Sequence, residues 1–148
     1  MQQPVVATRR AERALVLVSA AQLGAGVAGQ ALAMKRRHPY DFLFLHGDRR
    51  NVARDSLFMG TALSAPVAML AAQAVATAEL GRGSSERAVT ALGVLGAMMV
   101  PGYLGEALTR KGLMKGAWDS AELRVALTGT ALAAGMVALA AGLRYRSP

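Results

Sequence analysis

The chain has 148 residues, a net charge of +8, 53% hydrophobic but only 5% aromatic residues, and no cysteine. Its length allows one compact unit, and the missing thiols exclude disulfide frameworks, cysteine zinc sites, thiol nucleophiles and iron–sulfur clusters. With so few aromatic rings, the apolar quota is met by Ala, Gly, Leu and Val, a composition suited to close contact between helices.

Charged residues are absent from four runs, at 14–34, 57–78, 88–105 and 125–143. At about 1.5 Å per helical residue these runs reach roughly 27 to 33 Å, the thickness of a hydrocarbon layer. A soluble bundle would carry a charged stripe on every helix, and these runs carry none. The pattern predicts an all-α fold, an integral membrane four-helix bundle forming a single domain over 1–148, with one span in each run.

Span one follows Arg9, Arg10 and Arg13 and ends in Ala31-Leu32-Ala33, as a signal peptide would, but its length and the Lys35-Arg36-Arg37 behind it read as a retained anchor. Thr8-Arg9-Arg10 has the form of a twin-arginine signal, except that Glu12 stands where such a signal prefers an apolar residue. Along the helix Ser19, Gln22, Gly26, Gly29, Gln30 and Ala33 fall within about 100° of one another, leaving Val16, Leu17 and Val27 outside. That face is expected to look inward.

The loop at 35–56 holds two His–acid clusters, His38-Pro39-Tyr40-Asp41 and His46-Gly47-Asp48. Between them Phe42-Leu43-Phe44-Leu45 is too short to span and is expected to lie in the headgroup layer or over the bundle end. Imidazole with carboxylate can ligate a borderline metal or transfer a proton. The spacing specifies neither, and ordinary interfacial loop residues read the same way. No metal and no cofactor is expected.

In span two Gly60, Ser64, Ala68, Ala72 and Ala76 form a stripe of small residues. Ala20, Gly24 and Ala28 repeat it in span one, and Ala134, Ala138 and Gly142 in span four; such spacing favours tight bundle packing. Matching depths in an antiparallel hairpin places Gln30 beside Thr61 and Gln22 beside Gln73, contacts of about 0.6 to 2 kcal/mol each. They read as structural contacts, with a substrate path as the alternative. Pro66 and Pro101 each remove a helix N–H and are expected to kink spans two and three.

Span three starts behind Ser84 or Ser85 as cap. It ends in Pro101-Gly102-Tyr103-Leu104-Gly105-Glu106, where helix breakers, a phenol and a carboxylate meet at the interface. A carboxylate at membrane depth is a functional candidate; the alternative is a frayed helix end with Glu106 in solvent. Asp119-Ser120-Ala121-Glu122 reads as a capping box launching span four. Gly60-Thr61-Ala62-Leu63 recurs as Gly129-Thr130-Ala131-Leu132, which suggests a duplicated hairpin.

The loops at 35–56 and 106–124 carry ten basic residues against seven on the other side, which points them toward the cytoplasm of a cell membrane. Lys and Arg flanking spans account for the net charge, so no nucleic-acid partner is expected. The chain has no phosphate-binding glycine loop, Gly-x-Ser-x-Gly elbow or His-Glu-x-x-His motif, and no mid-span charge marks an ion path. The expected role is a non-enzymatic accessory or interaction subunit, with the lipid bilayer and either a membrane protein or a second copy as partners. The alternative is a membrane-embedded enzyme, binder or transporter of an apolar lipid- or quinone-like molecule. It would use His38, Asp41, His46, Asp48, Tyr103 and Glu106 as a ligand or proton-transfer cluster.

Overall fold

A computed structural model of the protein describes residues 3–36, 41–42, 45–46, 60–61, 63–116 and 120–146. The first element, α1 (Gln3–Arg36), is an unbroken helix of 34 residues. Its only proline, Pro4, stands in the first turn, where a missing N–H costs nothing, and Lys35 and Arg36 complement the dipole at its last turn. A small antiparallel hairpin follows, β1 (Asp41–Phe42) on β2 (Leu45–His46), with Asp41 opposite His46 and Phe42 opposite Leu45. Four further helices follow among the described residues: α2 (Val67–Arg82), α3 (Glu86–Gly105), α4 (Ala107–Met114) and α5 (Ala121–Arg146).

The fold is all-α apart from that hairpin, and the four long helices pack on one another. Helix α5 lies against both α1 and α3, while α2 packs against α1 and α3. Among the described residues three helices are long and apolar enough to cross a membrane, over Val6–Arg36, Glu86–Gly105 and Ala121–Tyr145.

The second expected span is different. Helix α2 has 16 residues, about 24 Å, and the described residues before it are not helical. Gly60 takes a φ of +82°, a region favouring glycine. Thr61 and Ser64 then exchange backbone hydrogen bonds of 3.0 and 3.3 Å. Pro66 is therefore not a kink within a helix but the residue that precedes one. A proline disfavours helical dihedrals at the residue before it, here Ala65, which suits the start of a helix directly after it. Pro101, by contrast, sits inside α3 as expected.

The same turn overturns two further expectations. Gly60, Thr61 and Leu63 belong to a turn whereas Gly129-Thr130-Ala131-Leu132 lies within α5, so the shared tetrapeptide does not mark a duplicated hairpin. Nor is the small-residue stripe of span two one seam: Gly60, Ser64 and Ala76 are buried, but Ala68 and Ala72 are exposed. Helical spacing holds only where the chain is helical, and Gly60 and Ser64 belong to the turn.

Two apolar clusters form the core. Leu15, Leu80, Val89, Leu92, Met136 and Leu143 anchor one, and Leu63, Leu70, Met99, Tyr103 and Ala133 the other. Glycines let the helices between them come close. A Cβ at Gly96 would lie 2.7 Å from the Ala133 carbonyl oxygen, and one at Gly93 2.9 Å from the Ala140 Cβ, so α3 and α5 meet nearly backbone to backbone.

Helix starts follow local chemistry. Ser85 caps α3, its Oγ accepting the Ala88 N–H at 3.1 Å. At α5 the cap is Ser120, whose Oγ accepts the Leu123 N–H at 3.2 Å. Glu122 forms an ion pair with Arg36 of α1, and Asp119, the expected start of a capping box, lies outside the described residues.

Candidate functional site

The described structure holds two groups of polar residues, one in the middle of the bundle and one at its basic end. The first is built by the polar face of α1. Ser19, Gln22, Gly26, Gly29, Gln30 and Ala33 are all buried, while Leu17 is 70% and Val27 60% exposed. Gln73 of α2 reaches across to Ser19, donating from Nε2 to its Oγ at 3.0 Å and to its carbonyl oxygen at 3.1 Å. Thr77, one turn further along α2, donates to the Gln73 carbonyl at 2.7 Å and stands 2.7 Å from Ser19 Oγ.

Gln22 does not pair with Gln73. Its Nε2 donates to the Tyr103 hydroxyl of α3 at 3.3 Å, and the Tyr103 ring lies on Gly129 of α5, where a Cβ would come within 2.9 Å. The partner exchange is a shift of one helical turn on α1: Ser19, three residues before Gln22, stands opposite Gln73. Matching depths assumes helix throughout the run, whereas the described residues ahead of Val67 are not helical. Gln30 and Thr61 are both buried, but no hydrogen bond joins them. Thr61 Oγ1 accepts the Leu63 N–H at 3.4 Å, while Gln30 Oε1 has no partner among the described residues.

Gln22 Oε1 and Gln73 Oε1 are likewise buried without partners among the described residues. The arrangement therefore uses glutamine donors to tie α1 to α2 and α3 and leaves the acceptors unused. It contains no ionisable group other than the Tyr103 phenol, and no nucleophile stands beside a base. Its chemistry is cohesion between helices.

At the basic end, α3 stops at Gly105 and the chain turns at Glu106, whose ψ of 133° breaks the helical path before α4. Glu106 is only 6% exposed, so it is not a carboxylate in solvent at a frayed end. Tyr103 and Glu106 lie one turn apart, with the phenol aimed into the bundle toward Gln22. The backbone of Asp41 pairs with that of His46 in the hairpin, and β1 runs beside α4. His38 and Asp48 lie outside the described residues. No group of three or more His, Asp or Glu able to hold a metal occurs among the described residues.

Sequence reasoning missed two features at this end, the ion pair from Arg36 to Glu122 and a cavity of about 300 Å³ between α4 and the start of α5. The lysines of α4 carried the only signal for the cavity, and in sequence they read as flanking charges. No family model, curated protein or solved structure matches the chain.

Proposed function

We propose that the protein is a small multi-pass membrane protein, a four-helix bundle in the cell membrane that serves as a non-enzymatic accessory or interaction subunit. The loops at 35–56 and 106–124 face the cytoplasm in this reading. The distribution of polarity supports the membrane placement. Ser19, Gln22 and Gln73 are fully buried, whereas Leu17, Val27, Val75 and Met98 stand more than half exposed. In water each exposed large side chain forgoes about 1.5 to 3 kcal/mol of burial; in lipid the same arrangement costs nothing.

One observation carries the interaction role. The small residues Ala20, Gly24 and Ala28 of α1, and Ala134, Ala138 and Gly142 of α5, all face away from the bundle. A Cβ at Gly24 or Gly142 would meet nothing within 4 Å. In a bilayer, helices associate through such small faces because they let backbones approach closely. The bundle closes through other glycines and leaves these two stripes for a partner helix, from another membrane protein or a second copy.

Native mass spectrometry of protein gently extracted from its own membrane tests this reading. A stoichiometric protein partner or a defined oligomer, lost in Gly24→Leu or Gly142→Leu, is expected. A lone chain, unaffected by either substitution and uncrosslinked in intact membranes, overturns it.

The burial of Glu106 favours a second reading, a binder or enzyme for an apolar molecule at the Tyr103 and Glu106 end. Under it Glu106→Gln and His46→Ala abolish ligand retention or turnover; under the first reading both leave partner binding nearly intact.

A further inference from the structure

The cavity at the basic end has the chemistry of a phosphate site. Lys111 of α4 and Lys115, the residue directly after its last turn, both line it, and neither has an acidic partner among the described residues. The acid in its wall, Glu122, is ion-paired with Arg36. Thr109 also lines the cavity. It is 1% exposed, and its Oγ1 has no hydrogen-bond partner among the described residues. A buried hydroxyl without a partner costs about 1 to 3 kcal/mol, so such a group calls for a ligand or water.

Ser120, the cap of the 26-residue helix α5, lines the same cavity. The first N–H groups of a helix lack intrahelical partners and carry the positive end of its dipole, which favours an anion there. Two lysines, a helix N-terminus and a buried hydroxyl on one cavity suit a negative, acceptor-rich group. The remaining wall is apolar, from Leu63 and Leu123. A free inorganic ion has no use for that wall, whereas a phosphodiester attached to an acyl glycerol does.

We propose that this cavity binds the phosphate of an anionic phospholipid headgroup, held by Lys111, Lys115 and the Thr109 hydroxyl at the start of α5. The proposal rests on the membrane placement given above and fits it, since a site beside Arg36 at the end of α1 falls at headgroup depth.

The test uses the full chain in lipid discs containing equal parts of phosphatidylglycerol and phosphatidylcholine, with retained lipid counted by native mass spectrometry. Wild type is expected to retain phosphatidylglycerol preferentially. The Lys111→Gln/Lys115→Gln double variant should lose that preference about thirtyfold, the effect of two lysines near an anionic surface. Thr109→Val should lose it in smaller measure, and Lys35→Gln, at the same end but outside the cavity, should keep it. Equal retention of the two lipids by wild type overturns the proposal, as does a loss in Lys35→Gln matching that of the double variant. Saturable binding of inorganic phosphate without lipid selectivity also overturns it. Failure of the chain to enter discs of phosphatidylcholine alone refutes the membrane placement instead, so the two failures are separable.

Discussion

Gly29→Ala isolates the contact between α1 and the turn ahead of α2. A Cβ at this position would lie 2.1 Å from the Leu63 carbonyl oxygen and 3.0 Å from the carbonyl carbon, where ordinary contact begins at 3.4 Å. The obstacle is backbone, and that backbone is fixed by the paired hydrogen bonds of Thr61 and Ser64, so relief requires α1 to move away from the turn. Overpacking costs about 1 to 3 kcal/mol, and an immovable carbonyl puts this case near 3. Alanine returns roughly 1 kcal/mol of helix propensity, leaving a net loss of about 2. Gly24→Ala, on the same helix, meets nothing within 4 Å and keeps only the gain. Unfolding of the two variants by rising dodecyl sulfate in mixed micelles, followed by helical circular dichroism, should therefore move their stabilities in opposite directions, about 3 kcal/mol apart. Shifts of the same sign and size would show that Gly29 is not pressed against the turn, and the steric account of that turn would fall.

The same assay applies to three other contacts. Gln22→Leu and Tyr103→Phe, combined in a double-mutant cycle, should couple by about 0.6 to 1.7 kcal/mol; additivity would mean that the 3.3 Å hydrogen bond contributes nothing. Arg36→Gln and Glu122→Gln should couple by less than about 1 kcal/mol, since the Arg36 side chain is 49% exposed. That coupling should fade in about 1 M salt, where the screening length falls to roughly 3 Å, and a coupling indifferent to salt would place the pair out of solvent. Ser85→Ala should cost about 1 kcal/mol through loss of the cap on α3, with Ser84→Ala as the comparison at the neighbouring position.

The inward face of α1 was legible because polar residues among apolar ones reveal their side by angle alone, and the Ser85 cap because its signal is local. The turn ahead of α2 was obscured by composition: the run from 57 to 78 lacks charge throughout, and counting charges hides a proline that disfavours helix at the residue before it. Small-residue stripes misled for another reason. In an Ala-rich chain they say that a helix can be approached closely but not from which side. The glycines that close the bundle, Gly29, Gly93, Gly96 and Gly129, are recognised only by what stands opposite them. Partner choice across the interior depends on register, and with non-helical residues ahead of α2 it is Ser19, one turn from Gln22, that meets Gln73. At the basic end, the Thr109 hydroxyl and the Arg36–Glu122 pair arise from segments far apart in sequence, and no local pattern could have joined them.

The length of α2 bears on how the chain would enter a bilayer. Its 16 residues include Gln73, Thr77, Glu79 and Arg82, too short and too polar a segment to leave a protein-conducting channel for lipid on its own. Helix α1 emerges first during synthesis and offers Ser19 to Gln73 and Thr77. The N-terminal helix would thus chaperone its successor into the membrane, and the order of translation would also be the order of assembly.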